Sequence, residues 1–332
     1  MKTGNTRLWT KEEYTYPVQG DFIPTIHWYL HEENNAARPA VIVVPGGGYR
    51  MAAPAEGELV ALEFYARGYN TFVVTYTTNL ADRVPLKFQP LKDLSCGITF
   101  VRKNAETFHV KKNETAVCGF SAGAHLAGSL AVHHDAPEVQ SAGEKCADNR
   151  PDVVILSYPV ITSGKYAHRD SFVALLGKDA TEEELEYMSL EKQVTSDTPP
   201  CFLWHTATDE QVPVQNSYLM AEACLQHGVP FALHIFSKGQ HGLSLANEDW
   251  AECNYGGYYT MDQMLEQLQF LIDNGIPLPE PFNQFEIPKG IDIKTIAAAD
   301  AKAHMPKQNP VPEVMVWPEL ADQFIKEQFQ KQ

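Results

Sequence analysis

The chain has 332 residues, of which 44% are hydrophobic, and this is enough apolar surface for one large core. Its 42 acidic residues outnumber the 26 lysines and arginines, which gives a formal net charge of −16 at pH 7. Because an acidic surface repels phosphate backbones, we expect no nucleic-acid partner. No run of about 18 apolar residues is present, so we expect neither a membrane-spanning helix nor a membrane partner.

The first nine residues contain no apolar core of the kind that secretory signal peptides carry. We therefore expect a cytoplasmic protein, unless a leader has been trimmed from the sequence. The six cysteines are widely spaced and include no CxxC pair, which favours buried apolar positions over disulfides or metal ligands. We expect no metal site and no cofactor.

The first functional pattern is a run of three glycines that follows a predicted strand. Residues 25–30 alternate apolar and polar side chains, and the β-branched run 40–44 indicates a buried parallel strand. Gly46, Gly47 and Gly48 come next, and without a Cβ their backbone N–H groups can approach a ligand closely. We expect Gly47 or Gly48 to donate to an oxyanion. The alternatives are a mobile turn or a phosphate loop, and the absence of GxxxxGK[ST] argues against phosphate.

The predicted elements then alternate between helix and strand. Such alternation predicts a mostly parallel sheet with helices on both faces, in which ligands bind at the carboxyl ends of the strands. The elements are a helix over 55–67, a strand over 71–76, a helix marked by Leu91, Leu94, Ile98 and Val101, strands over 115–118, 152–156, 202–204 and 231–236, and a helix over 214–226.

The sequence Gly-Phe-Ser-Ala-Gly at 119–123 lies between the strand over 115–118 and a predicted helix over 122–132. A serine at the apex of such a strand–turn–helix unit has strained backbone geometry and an exposed hydroxyl. Ser121 is therefore the candidate nucleophile. The N–H of Ala122, the next residue, is the expected second donor to an oxyanion.

Two further candidates follow later strands. Asp209 lies in the loop 206–213, from which a carboxylate can reach a histidine, whereas the neighbouring Glu210 is better explained as a solvated acid in a first helical turn. His241 lies between two glycines after the strand over 231–236, and these leave its ring room to reach the serine. The chain order Ser121, Asp209, His241 is the order expected of a hydrolase with a parallel sheet.

Four stretches of the chain resemble the α/β-hydrolase superfamily, and within it the bacterial esterase group that includes acetyl esterases, acetylxylan esterases and feruloyl-esterase-like enzymes. They are residues 43–49, 118–127, 157–160 and 236–242. The resemblance implies that Ser121 is the nucleophile, His241 the base and Asp209 its orienting acid. It also implies deacylation of small esters, often acetyl groups on sugars. Lipase-like relatives carry a histidine before the glycines, and here that position is Pro45.

These observations predict an α/β-hydrolase fold with a small cap or none, and an esterase of short acyl groups whose substrate is a small ester such as an acetylated sugar. Tyr49 and Tyr158 are candidates to line the substrate pocket. A peptidase or amidase on the same fold remains an alternative, as does a binding module without activity, although an intact Ser121, Asp209 and His241 argue against the latter.

Two regions depart from the alternation. Residues 161–197 are either a small cap over the site or a plain connection. The second region, 275–332, holds eight of the 22 prolines, which favours an extended arm, and it ends in a predicted amphipathic helix marked by Leu320, Phe324 and Ile325. We therefore divide the chain into a catalytic domain, 1–274, and an extension, 275–332. The apolar content of the extension predicts packing on its own domain or on a second subunit, which would make a homo-oligomer.

Overall fold

One sheet of eight strands organises the part of the chain that this computed structural model describes, residues 1–17, 20–33, 36–284, 290, 292–293 and 307–331. The strand order is β1-β2-β4-β3-β5-β6-β7-β8. Strand β2 is antiparallel to β1 and to β4, and the remaining neighbours are parallel. The strands are β1 (Lys2–Arg7), β2 (Thr25–Leu30), β3 (Arg38–Val44), β4 (Asn70–Val74), β5 (Val110–Phe120), β6 (Val153–Ser157), β7 (Cys201–Thr206) and β8 (Phe231–Phe236).

The central strands are buried on both faces, which explains their continuous β-branched sequences. Consecutive residues of β3 face opposite cores, since Ile42 belongs to one apolar cluster and Val41 to the other. The predicted mostly parallel sheet is confirmed. Strand β1 was not predicted, because its sequence KTGNTR is polar and exposed and the strand is positioned by pairing with β2 alone.

Helices cover both faces of the sheet, as predicted. The core on one face includes Leu94, Leu126 and Met220, whereas that on the other includes Phe64 and Trp317. The predicted helix over 55–67 begins instead with the 3-10 turn Pro54–Glu56. The helices are α1 (Glu58–Ala66), α2 (Gln89–Lys103), α3 (Ala105–Phe108), α4 (Ala122–His133), α5 (Pro137–Gln140), α6 (Arg169–Leu176), α7 (Glu182–Tyr187), α8 (Gln215–His227), α9 (Glu248–Ala251), α10 (Asp262–Asp273) and α11 (Trp317–Phe329).

The insertion 161–197 contains α6 and α7 and packs along helix α4. His125 of α4 bonds the carbonyl of Met188 at 2.9 Å. A Cβ placed on Gly48 would lie 3.9 Å from Oγ of Ser171 in α6. The insertion therefore borders the glycine loop and is a small structure beside it.

The described end of the chain, 307–331, packs on the chain's own sheet. The predicted terminal helix is present as α11, and its first residue, Trp317, is fully buried. The predicted extended arm falls largely on residues 285–289, 291 and 294–306, which lie outside the described residues. A separate unit beginning at 275 and a homo-oligomer both stay predictions.

Among the described residues, no helix combines the length and apolarity that crossing a lipid bilayer requires. The six cysteines are all buried, as predicted, and all are free thiols.

Candidate active site

A tight turn presents Ser121 between the end of β5 and the start of α4. Ser121 has φ 52° and ψ −118°, a strained backbone conformation for a residue with a side chain. A Cβ on Gly119 would lie 2.3 Å from the carbonyl oxygen of Gly123, and one on Gly123 would lie 2.3 Å from that of Val44. Only glycine allows strand and helix to approach this closely, which is why the turn has small residues two positions either side of the serine.

The structure brings the three predicted side chains together in a row. Oγ of Ser121 lies 2.8 Å from Nε2 of His241, and Nδ1 of His241 lies 2.6 Å from Oδ2 of Asp209. The other carboxylate oxygen, Oδ1, accepts backbone N–H groups of Gln211 and Val212, each at 2.9 Å. A carboxylate only accepts hydrogen bonds, so Nδ1 of His241 carries a proton and donates to Asp209. Nε2 is then without a proton and accepts from the hydroxyl of Ser121.

A second histidine, missed in the sequence, also holds the carboxylate. Nε2 of His205, a fully buried residue of β7, lies 3.2 Å from Oδ2 of Asp209. Burial alone would raise the pKa of Asp209, but hydrogen bonds from His205 and His241 and the charge of His241 outweigh it and hold that pKa well below its usual range. Asp209 is therefore ionised at neutral pH. His205 precedes the loop by one residue, and its sequence context gave no sign of this role.

The glycine loop runs directly beside the serine. A Cβ on Gly46 would lie 2.6 Å from the carbonyl oxygen of Phe120 and 2.9 Å from Cβ of Ser121. Gly47 and Gly48 have φ of 116° and 64°, in the region that favours glycine. Gly46, the residue before the two predicted loop donors, thus lies beside Ser121, and Ala122 begins α4 directly after it. Donation by Gly47, Gly48 or Ala122 to an oxyanion stays a prediction.

Comparison with known proteins shows which family the chain belongs to. Residues 26–224, more than half of the chain, match the family model BD-FAE. The chain belongs to the BD-FAE family. With it, the chain belongs to the esterase group of the α/β-hydrolase superfamily, and the resemblance found in the sequence is confirmed.

Three similar proteins illustrate the BD-FAE relationship. Endo-1,4-beta-xylanase B of Butyrivibrio fibrisolvens is 48% identical over 267 residues, covering 80% of this chain and 42% of the relative. The acetylxylan esterase of Xylanibacter ruminicola is 27% identical over 82% of this chain and 52% of the relative. This chain therefore spans about half the length of the curated relatives it matches. A solved acetyl ester-xyloside bifunctional hydrolase from Caldicellulosiruptor lactoaceticus is 33% identical, with a TM-score of 0.66, covering 82% of this chain and 97% of the other.

A buried carboxyl connects the glycine loop beside Ser121 to the loop that follows His241. Oε2 of Glu56 accepts the N–H of Gly46 at 2.7 Å, and Oε1 accepts the hydroxyl of Tyr158 at 2.6 Å. That hydroxyl accepts the N–H of Ser244 at 3.0 Å. Burial raises the pKa of Glu56, and the bonds from Tyr158 and Gly46 partly offset this effect. Sequence reasoning missed Glu56 because it falls within the predicted helix over 55–67, where an acid is unremarkable.

The two tyrosines predicted to line the pocket are both buried. The ring of Tyr158 meets the ring of His241 edge to face, with 5.0 Å between centroids. The hydroxyl of Tyr49 bonds Nδ1 of His125 at 2.8 Å, and burial lowers the pKa of His125 to about 4, so this histidine is neutral. Substrate contact by Tyr49 or Tyr158 stays a prediction.

A polar cavity of about 440 Å³ opens beside His241. A second cavity, of about 460 Å³, lies between Phe88 and Tyr187 and contains none of the predicted site residues. Among the described residues, no group of three or more histidine, cysteine or acidic side chains could hold a metal ion. The polar cavity is lined by Thr208, Glu210, Gln211, Gly239, Gln240 and His241.

Proposed function

We propose that this chain is a serine carboxylic ester hydrolase in which Ser121 is the nucleophile, His241 the base and Asp209 the orienting acid. The observation that carries the proposal is the unbroken row from hydroxyl to imidazole to carboxylate, with 2.8 Å and 2.6 Å between the bonded atoms. Membership of an esterase family supports the proposal. The activity of the protein is itself proposed, because the chain spans only about half the length of its curated relatives.

The first half-reaction forms an acyl-enzyme. Nε2 of His241 takes the proton of Ser121 as Oγ attacks the ester carbonyl carbon. Asp209 holds the Nδ1–H tautomer and stabilises the imidazolium that forms. When the tetrahedral intermediate collapses, the bond from carbon to the alcohol oxygen breaks, and Nε2–H gives its proton to the leaving alcohol. In the second half-reaction water attacks the acyl group with His241 again as base, which releases the acid and restores Ser121.

We propose two backbone donors for the negative charge that develops on the carbonyl oxygen. We assign one to the N–H of Gly47 or Gly48 and the other to the N–H of Ala122. Ala122 is the first residue of α4, so its N–H lies at the positive end of the helix dipole. Losing one such donor costs about 10²–10³ in kcat in a comparable enzyme.

We assign the substrate class as short acyl esters, in particular acetylated sugars. An alcohol that leaves from His241 departs toward the polar cavity, where Thr208, Glu210, Gln211 and Gln240 can bond hydroxyl groups. Between Tyr49 and Phe172 the side chains pack beside α4 without free space, so we assign no long acyl chain to that region. The relatives described as an acetylxylan esterase and an acetyl ester-xyloside hydrolase support this assignment.

Ser121→Ala tests the proposal. We expect hydrolysis of p-nitrophenyl acetate to fall by about 10⁶, the cost of removing the serine in a comparable triad enzyme. Ser141→Ala, which changes an exposed serine, is the matched control. Retained turnover in Ser121→Ala with an unchanged unfolding temperature would remove Ser121 from this role.

Three further assays separate the alternatives. A fluorophosphonate probe should label the parent protein on Ser121, and a binding module without activity would leave it unlabelled. An amidase or peptidase would prefer aminoacyl amides to acetyl esters. Comparing p-nitrophenyl esters of increasing chain length with acetylated xylo-oligosaccharides then defines the acyl and alcohol parts.

A further inference from the structure

The loop that carries His241 is bonded to the end of the chain on both sides of the histidine. We call residues 237–246 the histidine loop and residues 307–331 the C-terminal segment. The match to the BD-FAE model ends at residue 224, before either of them begins. The relation between them therefore lies outside the part of the chain that matches the family model.

Before the histidine, two polar side chains of the C-terminal segment hold the loop. The N–H and hydroxyl of Ser237 donate to the two carboxylate oxygens of Glu313, at 2.8 and 2.7 Å. The side-chain N–H of Gln240 donates to the side-chain carbonyl oxygen of Gln308. Gln240 also lines the polar cavity, so Gln308 supports a wall of the site.

After the histidine, the C-terminal segment bonds the backbone of the loop. The indole N–H of Trp317 donates to the carbonyl of Ser244 at 2.8 Å. The N–H of Val311 donates to the carbonyl of Ala246 at 2.8 Å. His241 is therefore bracketed by bonded positions at most four residues before it and five residues after it.

Trp317 fixes the C-terminal segment to the strands that carry the other two side chains. It is fully buried, and its ring stacks on Trp204 of β7 with 5.2 Å between centroids and 19° between planes. It also meets Phe120, the residue before Ser121, edge to face at 5.9 Å. The C-terminal segment thus contacts the strand ends that carry Ser121 and the loop of Asp209, as well as the histidine loop.

The histidine loop needs such external restraint because its own backbone has little regular structure. Gly239, Gly242, Ser244 and Ala246 all have positive φ, which a repeating helix or strand does not supply. A loop of this kind is positioned by what it contacts.

From these contacts we propose that the C-terminal segment is a positioning element of the active site. It holds the histidine loop so that Nε2 of His241 stays within bonding distance of Ser121. Glu313 and Gln308 act through the loop and touch neither substrate nor reacting atoms. A misplacement of 1 Å can cost about 10²-fold in rate. The inference rests on the proposed function, since it assigns the segment a part in that reaction.

The test is the double variant Glu313→Gln, Gln308→Ala in the full chain. The change replaces one of the two acceptor oxygens that Ser237 bonds with an NH₂ group, removes the charge at position 313 and removes the bond to Gln240. Trp317 stays in place, so folding should be retained. We expect kcat for p-nitrophenyl acetate to fall about 10-fold, with a smaller change in KM, because substrate binding precedes the step that needs His241. The rate of fluorophosphonate labelling of Ser121 should fall by the same factor. Glu319→Gln, an exposed charge change in the same segment, is the matched control and should behave like the parent protein.

Three outcomes decide between the ideas. Unchanged kcat and labelling rate in the double variant overturn the inference. The inference is also overturned if activity is lost only together with a lowered unfolding temperature and Glu313→Asp does not partly restore it. That is the result expected of a merely structural role. A parent protein that neither turns over esters nor reacts with the probe contradicts the proposed function itself, which is a different result from either.

Discussion

The serine half and the histidine half of the site are held in place by different means. At the serine, backbone atoms of neighbouring elements approach so closely that a single Cβ on Gly119 or Gly123 would lie 2.3 Å from a carbonyl oxygen. At the histidine, a loop is held by hydrogen bonds from Glu56 through Tyr158 and from the C-terminal segment. The serine half is therefore positioned by local packing, whereas the histidine half depends on distant parts of the chain.

The largest expected effect comes from breaking the histidine half at its acid. We expect Asp209→Asn to lower kcat by about 10⁴, because the amide no longer holds His241 in the tautomer that accepts the serine proton. Steady-state hydrolysis of p-nitrophenyl acetate measures this. Glu210→Gln changes the next residue in the same loop and should keep most of this activity, because p-nitrophenyl acetate has no sugar hydroxyl group for Glu210 to bond. Equal losses in both variants would remove the distinction between Asp209 and its neighbour.

A smaller effect is expected from cutting the connection between the two halves. Tyr158→Phe keeps the ring against His241 but removes the hydroxyl that bonds Glu56 and Ser244. We expect a cost of about 1–3 kcal/mol in the free energy of unfolding, because the buried partners lose a bond. We also expect kcat to fall about 10-fold, because His241 is less well positioned. Urea unfolding and kinetics measure the two effects, with the exposed Tyr218→Phe as control. Parent-like values of both would mean that the halves are positioned independently.

The effect that we expect to be smallest on activity at neutral pH concerns the serine half and is a pH dependence of stability. Burial lowers the pKa of His125 to about 4, whereas in the unfolded chain it is about 6.5. The folded state therefore disfavours the protonated form. Neutral His125 thereby contributes at most about 3 kcal/mol to the free energy of unfolding. This contribution is fully present above about pH 6.5 and is lost as the pH falls toward 4.

Urea unfolding at pH 7 and at pH 4.5 checks this expectation. His125→Gln should lose less stability between the two pH values than the parent protein does. His227→Gln, an exposed change at the end of α8, should follow the parent. An identical pH dependence in His125→Gln and the parent would show that protonation of His125 does not contribute.

Local sequence patterns predicted those parts of the fold whose residues are neighbours in the chain. Strands β2 and β8 have the predicted bounds, because alternation or a short apolar run between turn residues is a local signal. Strand β1 was missed since pairing with β2, and no pattern of its own, makes it a strand. Glu56 was missed for a similar reason, as only the fold brings it under Gly46 and Tyr158.

The sequence by itself determined the family, the alternation of strands and helices, and the candidates Ser121, Asp209 and His241 with the glycine loop. These follow from short-range rules, in which glycine permits a close approach and a turn residue follows a strand. The tertiary structure alone decided that His205 supports Asp209, that Glu56 and Tyr158 join the two halves, and that residues 308–317 bracket the histidine loop. The longest of these contacts joins residues 102 positions apart, and only the packing of the whole chain selects it.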